Sequence, residues 1–165
     1  MLKRTLVVAT AAVALAATAS AGTANSVVAS ASGGYGFRTS SVGVGPFTWH
    51  VQLHADGSVD GGYDYTQVSL SSSAALTVKG PITCAVIIVN RVWVGGIIEA
   101  SSRDSLIGLN MWFQAQDNGE GANAATDMST TIGAGGPGTA QQYCVDHPPA
   151  LFPHLIERGN LQVSS

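Results

Sequence analysis

The 165-residue chain has 10% charged residues, ten Asp and Glu against seven Lys and Arg, well under the roughly 25% of ordinary cytosolic domains. Beyond the adjacent Lys3 and Arg4 the cations stand singly, so no basic stripe offers counterion release from phosphates, and neither nucleic acid nor an anionic membrane surface is expected as a partner. Gly, Ser, Thr, Asn and Gln supply the polarity instead, a balance that fits an exported β protein.

Lys3 and Arg4 precede an uncharged run from Leu6 to Ala17, and Ala19-Ser20-Ala21 suits the −3 and −1 pockets of a signal peptidase. Residues 1–21 therefore read as a secretory signal peptide, with a cut after Ala31 as the alternative. The 12-residue run from Leu6 to Ala17 falls short of the roughly 20 residues that cross a bilayer as a helix, so no transmembrane anchor is expected. No Cys follows the cleavage site, which leaves a lipoprotein route unsupported. The remaining 144 residues suit one domain, and their five cations against ten acids make a net charge of −5.

Residues 22–34 are small and polar and read as a flexible leader ahead of a β domain over 35–165. Phe47, Trp49, Val51 and Leu53 then alternate with Thr48, His50, Gln52 and His54, which predicts a strand with one buried face. After the Asp56-Gly57 turn signal, Val59, Gly61, Tyr63 and Tyr65 alternate against Asp60, Gly62 and Asp64 and complete a hairpin. The Ser-rich stretch from Val68 to Val78 reads as an edge strand, or as a loop followed by a strand. Ile82 to Val89 and Val92 to Ile98, parted by Asn90-Arg91, form a second hairpin of central strands, with a bulge or bend at Gly95-Gly96. Alternation resumes from Leu106 to Gln116, and Asp127 to Ile132 is a short strand candidate. Gly133 to Gly138 reads as too Gly-rich for regular structure. Pro148, Pro149 and Pro153 exclude helix near the end, and Leu161 to Val163 is the final strand.

About six to eight short strands without a convincing helical period imply an all-β fold, an antiparallel barrel with a two-sheet sandwich as the alternative. Pairing of the Gly36-Phe37 region with the last strand would remove two exposed edges at once. Cys84 and Cys144, an even pair in an exported chain, predict one disulfide. Closing a loop of about sixty residues stabilises a fold by roughly 4 kcal/mol on the chain-entropy account.

At Ala55-Asp56-Gly57, Ile82-Thr83-Cys84, Trp93-Val94-Gly95-Gly96, Asp117-Asn118-Gly119-Glu120-Gly121 and Ile156-Glu157-Arg158-Gly159-Asn160 the chain resembles a group of uncharacterised secreted bacterial β-domain proteins. The resemblance covers nearly all of the domain, and its most specific piece is the Asp-Asn-Gly-Glu-Gly block between the two cysteines. It implies export and a β domain, and it transfers no activity and no catalytic residue.

Four features raise chemistry. Gly133-Ala134-Gly135-Gly136-Pro137-Gly138 matches G-x-G-x-x-G as a string, but a dinucleotide fingerprint needs a helix opening after it and none is expected here. Asp117, Asn118, Glu120 and Asp127 collect hard oxygen ligands and suggest calcium, although the glycines sit at the wrong places for an EF-hand, and the plainer reading is a self-capped turn. His50 and His54 share a strand face about 13 Å apart, too far for one metal, and Asp60 and Asp64 are likewise too far apart for a glycosidase pair. His147 and His154 lack helical partners, and neither G-x-S-x-G nor S-x-x-K occurs. Among the aromatics, Trp49, Tyr63 and Tyr65 suit a core or a ligand cavity, and Trp112 falls on an otherwise polar strand face where an apolar ligand would meet a flat ring. The leading expectation is a secreted, non-enzymatic β module that binds a small apolar ligand or an extracellular surface through these aromatics, without a cofactor unless calcium binds. A hydrolase with a spatially assembled site and a passive envelope or extracellular structural protein are the alternatives.

Overall fold

Alternation of side chains carries β1 (Val27–Arg38), β2 (Val42–His54), β3 (Val59–Ser69) and much of β4 (Ala75–Ile88), whereas β5 (Arg91–Ile97) is buried on both faces from Val92 to Gly96. The computed structural model describes residues 26–72, 74–121, 123–150 and 153–164; the expected signal peptide lies outside them. Shorter elements follow: β6 (Ala100–Ser101), a 3-10 turn at Asp104–Leu106, β7 (Asn110–Gln116), β8 (Met128–Ser129), β9 (Gly133–Gly135), helix α1 (Thr139–Asp146), β10 (His154–Leu155) and β11 (Arg158–Ser164). Together they make one antiparallel sheet in the order β10-β8-β7-β5-β4-β3-β2-β1-β11, with β6 beside β4 and β9 beside β7. The sheet curls into a half-barrel.

The all-β antiparallel class and the Cys84–Cys144 disulfide hold, while the strands outnumber the six to eight expected. A single sheet curled into a half-barrel stands in place of the antiparallel barrel expected and of its two-sheet alternative. The expected pairing of the first and last strands is present, with Gly36 opposite Arg158 and Tyr35 opposite Gly159. Three local readings are corrected. Residues 27–34 are no leader but most of β1: small side chains at Ala31 and Gly33 fill a crowded inner face that larger ones would overfill. Gly133–Gly135 forms a strand on β7, and a helix follows it. That helix is only 8 residues long, too short to declare itself by periodicity, and it ends before Pro148.

The concave face is closely packed with rings. Phe47 lies edge-on to Tyr65 at 5.0 Å and to Phe113 at 4.8 Å, and Trp49 meets Phe113 at 5.2 Å. Such edge-to-face pairs add about 0.5–1.5 kcal/mol each beyond area burial. Through this core runs a chain of polar atoms. Trp49 Nε1 donates to the Tyr35 hydroxyl at 3.0 Å, and that hydroxyl lies 2.7 Å from Ser129 Oγ. Ser129 in turn donates to the carbonyl of Thr130. A Cβ at Gly33 would lie 2.5 Å from the Tyr35 ring and 2.7 Å from Trp49 Nε1, so the two rings occupy the space a side chain would need.

The convex face of β4, β5 and β7 is covered by α1. Cys84 ties the helix down through Cys144, both sulfurs buried. Gly95, opposite Cys84 on β5, leaves the room the helix needs: a Cβ there would lie 2.8 Å from the Ala140 carbonyl.

All four tyrosines have their phenols held above the ordinary value: burial is the largest cause at Tyr35, Tyr63 and Tyr65, and at Tyr143 it pushes the value up to about 12. Raised phenol values contribute stability that is intact below the unfolded value of about 10 and is lost as the pH climbs past it. Absorbance at 295 nm should therefore show no phenolate at pH 10.5 and then all four tyrosines ionising in one step, coincident with loss of the near-ultraviolet dichroism. Tyrosines titrating singly below that step would show that the core rings are open to solvent.

Candidate functional site

Trp49, Tyr63 and Tyr65 are 4%, 5% and 0% exposed and belong to the filled core. Trp112 does not join them. It neighbours Phe113 on β7, and because successive strand residues point to opposite faces, Phe113 touches Trp49 inside while Trp112 turns outward. There its ring is covered: a Cβ at Gly133 would lie 2.5 Å from it, one at Gly135 would lie 3.1 Å away, and the Tyr143 ring of α1 sits 6.1 Å off. The flat ring on the polar face already has an occupant, namely β9 and the helix. The same packing accounts for the G-x-G-x-x-G string. A helix does follow it, contrary to expectation, but Pro137 lacks an N–H and the Ala140 amide is taken by Asn110 Oδ1 at 3.3 Å.

The acidic loop spends its oxygens on backbone. Asp117 accepts from the amides of Gly119 at 2.8 Å and Val163 at 2.9 Å, and Asp127 accepts from Asn118 at 2.8 Å and also meets the Leu161 amide. Leu161 and Val163 are alternate residues of β11, so two carboxylates cap the edge of the last strand that no neighbouring strand covers. Glu120 is exposed beside them. Among the described residues no group of three or more His, Cys, Asp or Glu is placed to hold a metal.

The histidines are dispersed. His54 pairs with Asp60 at 2.9 Å across the β2–β3 hairpin, His147 lies against Trp93, and His154 stacks on Phe37 at 5.1 Å. His50 and Asp64 stand exposed on the convex face.

The residues that form an open site are ones the sequence reading passed over. On the convex face of β1 and β2, Gly34, Gly36, Gly43 and Gly45 expose bare backbone over a groove of about 710 Å³, within the roughly 300–1,000 Å³ of small-molecule sites. Pro46, Val68 and Leu70 form an apolar wall, while Arg38, Glu157 and Arg158 line the rim on the β11 side. Arg38 Nε reaches Glu157 at 3.8 Å with both side chains largely exposed; among the described residues Arg158 makes no ion pair. The signal lay in Gly34-Tyr35-Gly36-Phe37 and Gly43-Val44-Gly45, where glycine alternates with a buried side chain and so marks a strand bare on one face. Two of these glycines are forced, since a Cβ on Gly36 would lie 2.9 Å from the Val44 carbonyl and one on Gly45 would lie 3.1 Å from the Gly36 Cα. Gly34 and Gly43 are not: their nearest neighbours would be Thr48 Cγ2 at 4.0 Å and Leu70 Cδ2 at 3.9 Å, and neither has a positive φ.

No family model, curated protein or solved structure matches this chain.

Desolvation, with the neighbouring Asp117 and Glu120 charges, holds the Asp127 carboxyl above its usual range. Its ionised form therefore costs stability above about pH 4 and nothing below the unfolded value. Asp127→Asn keeps an acceptor for Asn118 and removes the charge. Thermal melts should show the variant's stability relative to the parent rising from pH 3 to pH 7, whatever the loss of an acceptor near the Leu161 amide costs at all pH values; a relative stability that falls over this range would mean that the ionised carboxylate holds the β11 edge.

Proposed function

We propose that the chain is an exported, non-enzymatic β module that binds a small apolar ligand, and that the glycine-floored groove is the binding surface. The observation that carries this reading is the pair Gly34 and Gly43. Glycine inside a strand costs roughly 0.5–1 kcal/mol relative to alanine, and the fold has room for a side chain at both positions. Their bareness serves the groove, which a side chain at either position would fill. The aromatics that suggested a ligand cavity are already packed against one another, so the proposed ligand is moved from the concave face to the convex one.

Export is supported by the leader-like first 21 residues, by the resemblance to secreted bacterial proteins and by the buried disulfide, which persists in oxidising compartments. The binding reading is favoured over a hydrolase by the placement of the histidines: the partners found for His54, His147 and His154 are a hairpin carboxylate, an indole and a phenyl ring. None of these is a general base held beside a nucleophile in a cleft.

The reading is tested with a neutral fluorescent probe, N-phenyl-1-naphthylamine, and the variant Gly34→Val/Gly43→Val. The parent should enhance the probe's emission saturably. The variant should lose that enhancement while melting at the same temperature or higher, since each substitution adds up to about 1 kcal/mol of strand stability. Undiminished probe binding by a folded variant would reject the groove as the site.

A further inference from the structure

We infer that the ligand of this groove is an anionic amphiphile, an apolar chain ending in a carboxylate or comparable acid group, with its head at Arg158 and Arg38 and its tail across the glycine floor towards Val68 and Leu70. This rests on the groove being the binding surface, and it adds the chemistry of what binds there.

The groove has two unlike sides. On the β3 side Val68 and Leu70 are 38% and 55% exposed, apolar groups left in water beside bare backbone. On the β11 side the rim carries two guanidiniums and one carboxylate, a local charge of +1 in a chain whose acids outnumber its cations by ten to seven. Arg38, Lys79, Arg91, Arg103 and Arg158 are the cations among the described residues, so two of five converge on this one rim. Glu157 engages Arg38 at 3.8 Å, too long for a direct hydrogen bond. Arg158, which makes no ion pair among the described residues, can take an acid group through its planar fork, a geometry that suits carboxylate and phosphate oxygens.

The spacing fits a chain lying crosswise. Arg158 on β11, Gly36 on β1, Gly43 on β2 and Val68 on β3 mark four adjacent strands, and three inter-strand steps span about 14 Å, the reach of an extended acyl chain of medium length. The absence of Cβ atoms at Gly34 and Gly43 lets methylenes lie directly on the sheet. A cationic head would meet like charge at this rim, and a neutral head would leave the guanidiniums without an added partner.

The experiment displaces N-phenyl-1-naphthylamine from the disulfide-bonded chain with dodecanoate, dodecanol or dodecyltrimethylammonium, each below its micelle-forming concentration. Dodecanoate should compete about 10-fold better than dodecanol, and the cation worse than either. The preference for the acid should shrink as salt screens the exposed charges. In the Arg38→Gln/Arg158→Gln variant dodecanoate should fall to within about twofold of dodecanol, with dodecanol unchanged. Equal competition by acid and alcohol, or an acid preference that survives loss of both arginines, would overturn the head-group assignment while leaving the groove reading intact. Competition that persists undiminished in Gly34→Val/Gly43→Val would remove both.

Discussion

The hydroxyl of Tyr35 is the point from which the rest of this structure follows. It accepts from Trp49 on β2 and meets Ser129 on β8, so it joins strands that lie far apart in the order of the sheet. Trp49 and Tyr35 sit on neighbouring strands, but a flat sheet would leave Ser129 beyond reach of both. Buried polar atoms left unpaired each cost about 1–3 kcal/mol, and the three residues are satisfied together only when the sheet curls. The curl in turn presses Phe47, Tyr65 and Phe113 edge to face and fills the concave side.

The rings packed on the concave face leave the convex one as the open surface of the described residues. The convex face is divided between two coverings. Over β4, β5 and β7 the chain supplies its own, helix α1 held by the Cys84–Cys144 bridge and by the Trp93 indole, which donates to the Pro148 carbonyl at 2.8 Å. Over β1, β2 and β3 none of the described residues forms such a cover, and at positions 34, 36, 43 and 45 glycine stands where an outward side chain would be. The edge of β11 is finished by side chains, Asp117 and Asp127, and so the acidic loop that resembled a cation site acts as a strand cap. Carboxylates that accept backbone amides in place of a neighbouring strand blunt an edge that would otherwise invite pairing with another chain.

Much of the fold was legible because period-two alternation is strong wherever one strand face is packed, as from Phe47 to Leu53 and from Tyr63 to Tyr65. The disulfide was legible because an even pair of cysteines, in a sequence that reads as exported, has few other uses. What escaped notice had weaker local signals. β1 hid among small residues, since Ala31 and Gly33 face the core without looking apolar enough to demand burial. Helix α1 hid because 8 residues span barely two turns, and its hold on the sheet is a distant sulfur. Trp112 was placed correctly on the outer face, but the helix covering it comes from residues 139–146, a tertiary contact no local pattern contains. The groove was missed because its sign is an absence of side chains, which composition counts as turn or linker.

The Tyr35→Phe variant tests the central claim most directly, by equilibrium denaturation of the disulfide-bonded chain. Removing one oxygen strands the Trp49 N–H and takes from Ser129 its partner across the curl. A loss of about 2–3 kcal/mol is predicted, with the emission of the buried tryptophans altered in the native baseline. A loss under about 0.5 kcal/mol, the range of an ordinary surface substitution, would contradict the account and show that ring packing alone sets the curl.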